Sequence, residues 1–117
     1  MNSPFLSSYI ETALWSSTDE AGIPLDDSKY SDVELAPETI ERMKMDCDCF
    51  IKESASILDA NTSLYPIAHD FWLTRNHHGA GFWDGDYPEP IATQLTDLAH
   101  SFGECDLYIG DNGKIYL

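Results

Sequence analysis

The spacing of apolar residues along the chain predicts three helices. The first follows Ser3 and Pro4, which suit an N-cap and a first helical position, and its apolar face comprises Phe5, Leu6, Tyr9, Ile10, Ala13 and Leu14. The second begins at Pro37, and its apolar stripe follows the helical repeat through Ile40, Met43, Cys47, Phe50, Ile51, Ser54, Ile57 and Leu58. A third helix ends at Gly103 and has an apolar face of Ile91, Leu95, Leu98, Ala99 and Phe102.

A change of period after the second helix indicates a β-hairpin. In its first strand Phe71 and Leu73 alternate with the residues of the opposite face, Asp70, Trp72 and Thr74. The second strand, residues 81–84, follows a glycine-containing loop. In this hairpin the guanidinium of Arg75 is expected to pair with the carboxylate of Asp84 or Asp70.

A second hairpin is predicted at residues 106–109 and 114–117, which flank Gly110-Asp111-Asn112-Gly113. Asn-Gly accepts the positive φ of a type I′ turn. Together these elements predict an α+β fold, a single acidic domain of residues 1–117 with about three helices packed on a small antiparallel sheet made of two hairpins. Residues 16–35, rich in Ser, Thr, Asp, Gly and Pro, are expected to form a functional loop or an ordered irregular wrap around the core.

The charge of the chain narrows its function more than any motif does. Twenty-one acidic residues stand against six Lys and Arg, a formal net charge of −15, although 43% of the residues are hydrophobic. The apolar content is enough for folding, so we expect the carboxylates to lie on a folded surface. Such a surface repels nucleic acid and anionic membranes and attracts basic clefts of other proteins. Solubility alone is the alternative explanation of the charge.

The sequence also indicates a compartment. No apolar stretch approaches the ~20 residues of a membrane span, and the first residues lack the features of a signal peptide, so a cytoplasmic protein without membrane contact is expected. The cysteines are odd in number and form no CxxC, which favours reduced thiols. Cys105 stands between Glu104 and Asp106, which disfavours a nucleophilic thiolate.

The segment of the first hairpin holds the densest group of side chains that can carry chemistry: His69, Asp70, His77, His78, Asp84 and Asp86. These residue types bind divalent metals or transfer protons. Their spacing matches neither HExxH nor paired CxxC, whose geometry enforces a metal site. A structural segment is therefore the stronger expectation, with no catalytic residue, metal or cofactor. Outward-facing Trp72 and Trp83 would supply aromatic anchors for a partner.

The same segment carries a resemblance. Residues 69–84, His-Asp-Phe-Trp-Leu-Thr-Arg-Asn-His-His-Gly-Ala-Gly-Phe-Trp-Asp, resemble a segment of a family of small uncharacterised bacteriophage proteins, and residues 13–20, 36–39 and 106–116 extend the similarity. The family pattern usually has Gly where His77 stands and often Arg where Gly85 stands. The resemblance implies a phage context and no particular activity.

These observations predict a phage-encoded protein that mimics nucleic acid and occupies the basic cleft of a host or phage nucleic-acid-binding protein, such as a defence nuclease or a DNA-repair enzyme. The expected outcome is inhibition of that partner, by a monomer or weak dimer. The expected partner-binding residues are Asp19, Glu20, Asp26, Asp27, Asp32, Glu34, Glu41, Asp48, Asp59, Trp72 and Trp83. Two alternatives are a small metal-dependent or acid-base enzyme that uses residues 69–86, and an accessory phage replication protein without mimicry.

Overall fold

A computed structural model describes residues 4–30, 32–58, 64–77, 81–82 and 87–117 of the chain. Within these residues the helices are α1 (Pro4–Ser16), α2 (Pro37–Ser54), α3 (Leu64–Arg75) and α4 (Ile91–Ser101). The strands β1 (Tyr108–Ile109) and β2 (Ile115–Tyr116) form one small antiparallel sheet. The α+β class is therefore confirmed. The finer prediction of three helices and two hairpins is wrong, because α3 replaces the first hairpin.

The central helix α3 occupies the segment in which a strand was predicted. It packs against both α1 and α4, and its C-terminal half is buried on every side: Phe71, Trp72, Leu73, Thr74 and Arg75 all lie inside. Five consecutive helical residues cover the whole circumference, so this helix has no polar face from which the helical repeat can be read. The second predicted strand is represented only by the buried residues Gly81 and Phe82, since residues 83–84 lie outside the described part.

The predicted helix at residues 37–58 is confirmed as α2, which ends at Ser54. Four positions of the predicted stripe are buried, Met43, Cys47, Phe50 and Ser54, and four are half-buried, Ile40, Ile51, Ile57 and Leu58. The Phe50 ring stacks on Phe71 of α3, with ring centroids 4.0 Å apart and planes inclined by 18°. This contact joins α2 to the central helix through the aromatic core.

The hairpin near residue 110 is confirmed, with shorter strands than predicted. Tyr108 lies opposite Tyr116 and Ile109 lies opposite Ile115 in the antiparallel register. In the connecting loop Gly113 has a φ of +82°, and no other loop residue has a positive φ. A type I′ turn requires positive φ at both central residues, so the predicted turn type is wrong. The loop has three residues, 111–113, and Gly113 lies in the left-handed region.

The second edge of β2 is occupied by the chain that precedes α2. The Ile115 N–H donates a hydrogen bond to the Glu34 carbonyl, and the Ala36 N–H donates one to the Ile115 carbonyl, both at 2.9 Å. Leu35 and Ile115 form a parallel bridge at this point. Strand β2 is therefore paired on both sides, and β1 forms the outer edge of the sheet.

The long segment before α2 is an ordered irregular wrap rather than a separate element. It contains an antiparallel bridge between Thr18 and Pro24 and a short 3₁₀ turn at Ser28–Tyr30. Leu25 is buried in the core, and Tyr30, Val33 and Leu35 pack against the core from outside. These apolar contacts fix the polar stretch on the protein surface. None of the helices in the described ranges has both the length and the apolarity needed to cross a bilayer.

Candidate functional site

The wrap is the part of the described chain in which acidic residues most outnumber basic ones. Residues 19–34 contain six carboxylates and one cation, Lys29. Five of the six are exposed and form no ion pair with a described residue: Glu20, Asp26, Asp27, Asp32 and Glu34. We call these five residues the acidic face. They include five of the eleven predicted partner-binding residues.

Asp19, also predicted to bind a partner, has a structural role in the wrap. Its Oδ1 accepts hydrogen bonds from the backbone N–H groups of Ala21 at 2.8 Å and Ile23 at 2.9 Å. Its other oxygen accepts a hydrogen bond from the Tyr30 hydroxyl and lies 3.6 Å from the Lys29 ammonium. The bond from Tyr30, followed by the backbone bonds, lowers the pKa of the Asp19 carboxyl to about 2. Both oxygens are thus occupied within the chain.

The acids on α2 form a weaker surface than the sequence predicted. Glu41 and Asp48 are exposed as expected, but Asp48 forms an ion pair with Lys44 at 3.2 Å. The helix also carries positive charge along the same stretch, from Arg42, Lys44 and Lys52. Asp59, the third member of the predicted line, lies outside the described residues. The α2 carboxylates are therefore interspersed with cations, as on an ordinary soluble surface.

Trp72 does not face outward, and its predicted role as an interface anchor is wrong. The side chain is 1% exposed, and its Nε1–H donates a hydrogen bond to the Ser16 hydroxyl at 2.8 Å. Burial follows from the central position of α3, which leaves this turn no solvent face. Trp83 lies outside the described residues. The large apolar side chains that are exposed in the described ranges are instead Trp15, Met45, Tyr108 and Ile109.

The described residues of the predicted catalytic cluster are His69, Asp70 and His77, and α3 carries the first two in place of a hairpin strand. His69 Nδ1 lies 3.3 Å from its neighbour Asp70, which also accepts a hydrogen bond from the Tyr87 hydroxyl at 2.9 Å. Asp84, Asp86 and His78, the other members of the predicted cluster, lie outside the described residues. In that part, no group of three or more His, Cys, Asp or Glu side chains is placed to hold a metal ion.

Two histidines lie side by side just beyond the end of α3. His77 has a φ of +55°, and its ring lies 4.5 Å from the ring of His100, measured between centroids. Its Nε2 is 3.5 Å from the Glu104 carboxylate, and the side chains of both partners are exposed. His77, His100 and Glu104 are all exposed to solvent. The pKa of the nearby Cys105 thiol is raised, chiefly by burial, so its thiolate is disfavoured.

A cleft lies between the wrap and the sheet in the described part of the chain. It has a volume of about 460 Å³ and runs between residues 18–21 of the wrap and residues 107–109 of the hairpin, with Leu25 at its base. A shallower hollow of about 550 Å³ continues from Tyr108 and Ile109 over the hairpin loop. Sequence patterns missed this region because the cleft forms between segments that are distant along the chain.

Comparisons with known proteins add no identity to this geometry. The chain matches no known protein family, no characterised protein and no solved structure. The resemblance to small bacteriophage proteins therefore stays a prediction, and the function must be argued from the surface itself.

Proposed function

We propose that this protein binds the basic cleft of a nucleic-acid-binding protein and occupies it in place of nucleic acid. The observation that carries the proposal is the acidic face. Its five exposed carboxylates have no ion-pair partner within the described chain. Free carboxylates on an ordered surface attract the Lys and Arg side chains that line a phosphate-binding cleft.

The distribution of the few cations supports this proposal. Three of the six lie against carboxylates of the same chain: Lys29 near Asp19, Lys44 at Asp48, and Arg75 at Asp46. Each pair neutralises one cation and one carboxylate, so the net charge of −15 is unchanged and is carried by acids outside these pairs. Direct contact with phosphates needs clustered, uncompensated Lys and Arg, and this surface offers acids instead.

The order of the wrap is a second support. Leu25 and the contacts of Asp19 hold the backbone that carries the acidic face, so the carboxylates are presented by a preformed surface. Binding then costs this chain less conformational entropy than binding through a disordered acidic tail would. The proposed partners are defence nucleases, restriction enzymes or DNA-repair enzymes of a host cytoplasm, and the protein acts as a monomer or weak dimer because equal net charges repel.

The test is displacement of DNA. Purified enzymes with basic clefts, one restriction endonuclease and one DNA-repair glycosylase among them, are bound to a fluorescent duplex, and the protein is added while anisotropy is followed. We expect the anisotropy to fall and the enzyme to be recovered with this protein, because both ligands occupy one cleft. A ternary complex that retains its duplex would contradict mimicry and favour an accessory role without it.

A further inference from the structure

The outer strand of the sheet offers an unused hydrogen-bonding edge. Gly110 N–H donates to the Lys114 carbonyl at 2.8 Å, which makes these two residues a hydrogen-bonded pair of the antiparallel ladder. Hydrogen-bonded and non-hydrogen-bonded pairs alternate along an antiparallel ladder. The next pair, Ile109 and Ile115, is therefore non-hydrogen-bonded, and the backbone N–H and C=O of each residue point away from the other strand. On the β2 side the Ile115 groups meet residues 34–36, as described above. On the β1 side the corresponding Ile109 groups point away from β2, and Ile109 is a lining residue of the cleft.

The Ile109 N–H and C=O have no hydrogen-bond partner among the described residues. Ile109 lines the cleft of about 460 Å³, and residues 18–21 of the wrap line its other side. A strand added to a sheet lies ~4.8 Å from its neighbour, so the vacant space is where an added strand would pair. One residue of that strand satisfies both Ile109 groups, since an antiparallel pair exchanges two hydrogen bonds.

The side chains beside this edge are also unusual for a strand end. Tyr108 is 56% exposed and Ile109 is 37% exposed. Tyr108 stacks on Tyr116, with ring centroids 5.9 Å apart, so the hairpin presents an aromatic surface next to the free edge. Protein edges are commonly protected by Lys, Pro or a bulge, and neither residue of β1 is of that kind.

The charge around the cleft selects the occupant. None of the described residues that line the cleft or the adjoining hollow is basic; Glu20 lines the cleft, Asp111 lines the hollow, and both are exposed. A second copy of the chain would bring another net charge of −15 to this edge, which opposes pairing between two β1 strands. A segment rich in Lys or Arg gains from both acids instead.

We propose that β1 binds a basic, extended segment of a partner protein as an added antiparallel strand, with the backbone of Ile109 as its hydrogen-bonding site. The inference rests on the proposed function for the sign of the partner's charge. It adds the mode of recognition, in which backbone hydrogen bonds supply affinity, while Tyr108 and the acids Glu20 and Asp111 select the side chains.

Hydrogen exchange of the ¹⁵N-labelled protein tests this mode. The probe is a synthetic peptide of alternating lysine and valine, and the matched control is the same peptide N-methylated at alternate residues, which removes the donors of one edge. With the unmodified peptide, exchange of the Ile109 amide should slow by about tenfold when about nine-tenths of the sites are occupied. The methylated peptide should leave exchange unchanged.

Protein variants locate the site independently. Tyr108→Ala and Glu20→Gln should each weaken binding of the lysine-valine peptide severalfold, while Trp15→Ala, which removes an exposed aromatic side chain elsewhere, should leave it unchanged. Ile109→Pro removes the edge donor and should abolish binding. Circular dichroism identifies any variant that fails to fold, in which case the methylated peptide still decides.

The outcomes separate this inference from the proposed function. If both peptides bind equally and salt weakens both, strand addition is wrong although the acidic face still attracts a basic partner. If neither peptide binds while DNA displacement succeeds, the mode of recognition is wrong and the function stands. If the Ile109 amide becomes protected at high protein concentration without any peptide, the occupant is a second copy and the proposed partner is wrong.

Discussion

The guanidinium of Arg75 lies 2.8 Å from the carboxylate of Asp46, deep between the helices. The same nitrogen donates to the Tyr9 hydroxyl at 2.9 Å, and the other two nitrogens donate to the carbonyls that follow α4, those of Phe102 and Gly103. One side chain of α3 thus bonds to groups of α1, α2 and the end of α4. The pairing with Asp70 that the sequence suggested is wrong, since the two residues form no such bond.

Loss of this network should destabilise the fold strongly. Arg75→Met leaves the Asp46 carboxylate and two carbonyls without their donor, and breaking a buried pair from one side costs about 3–5 kcal/mol of unfolding free energy. The control is Lys44→Met, which breaks the exposed pair with Asp48 and should cost about 0–1 kcal/mol. Urea denaturation measures both values. Equal small effects would show that the Arg75 contacts are not formed in solution.

Phe50→Ala tests the aromatic core. The side chain is fully buried and stacks on Phe71, so its removal should cost about 3–5 kcal/mol. Met45→Ala on the same helix is the matched control, because Met45 is 63% exposed and its loss should change stability by less than about 0.5 kcal/mol. Denaturant midpoints with unchanged slopes give the comparison. A cost below about 1 kcal/mol for Phe50→Ala would mean that the buried face of α2 is assigned incorrectly.

The amphipathic elements could be predicted from sequence, and the central element could not. Helices α1, α2 and α4 each have one face toward the core and one toward solvent, which leaves the helical repeat readable. Helix α3 has no solvent-exposed face over its last turns. Polar and apolar residues therefore do not follow the helical repeat there, and residues 70–74 show the alternation that is typical of a strand. The same burial explains why Trp72 was expected at the surface.

The candidate site shows a similar division. Its charge could be predicted, because composition determines the sign of a surface field. Two of its features could not, because they depend on tertiary contacts. Asp19 is occupied by the turn it stabilises, and the cleft exists only where the wrap approaches β1.

The wrap should lose stability at acid pH through Asp19. Its pKa is lowered from 3.8 to about 2 in the folded chain, first by the bond from Tyr30. The contribution of Asp19 is therefore fully present above pH 3.8 and is lost as the pH falls toward 2. Asp19→Asn should remove this part of the pH dependence, and Tyr30→Phe should reduce it. Denaturant midpoints across that window measure the change, and an unaltered pH profile in both variants would contradict the role.

The hairpin tip should be sensitive to a single methyl group. A Cβ at Gly110 would lie 2.6 Å from the nearest ring carbon of Tyr116, so the ring must shift and its stacking on Tyr108 changes. Gly110→Ala should therefore cost about 1 kcal/mol and disturb the amide signals of β1. Asp111→Ala, in the same loop, adds no such contact and serves as the control. NMR spectra that are identical for both variants would show that the ring does not cover Gly110.

The location of the charge, and not only its amount, should govern partner binding. The triple variant Asp26→Asn, Asp32→Asn, Glu34→Gln removes three carboxylates of the acidic face, and the control Glu53→Gln, Asp97→Asn, Glu104→Gln removes three exposed carboxylates elsewhere. Both triple variants change the net charge by the same amount, so any difference between them in partner binding is due to the position of the carboxylates. The first variant should displace less DNA from the target enzyme and show a slower association rate, while the control stays near the original protein.

Raising the salt to 1 M shortens the screening length to about 3 Å and should remove the difference, because the attraction acts between solvent-exposed charges. Equal losses in the two variants would mean that only total charge matters, and the acidity would then be a solubility trait.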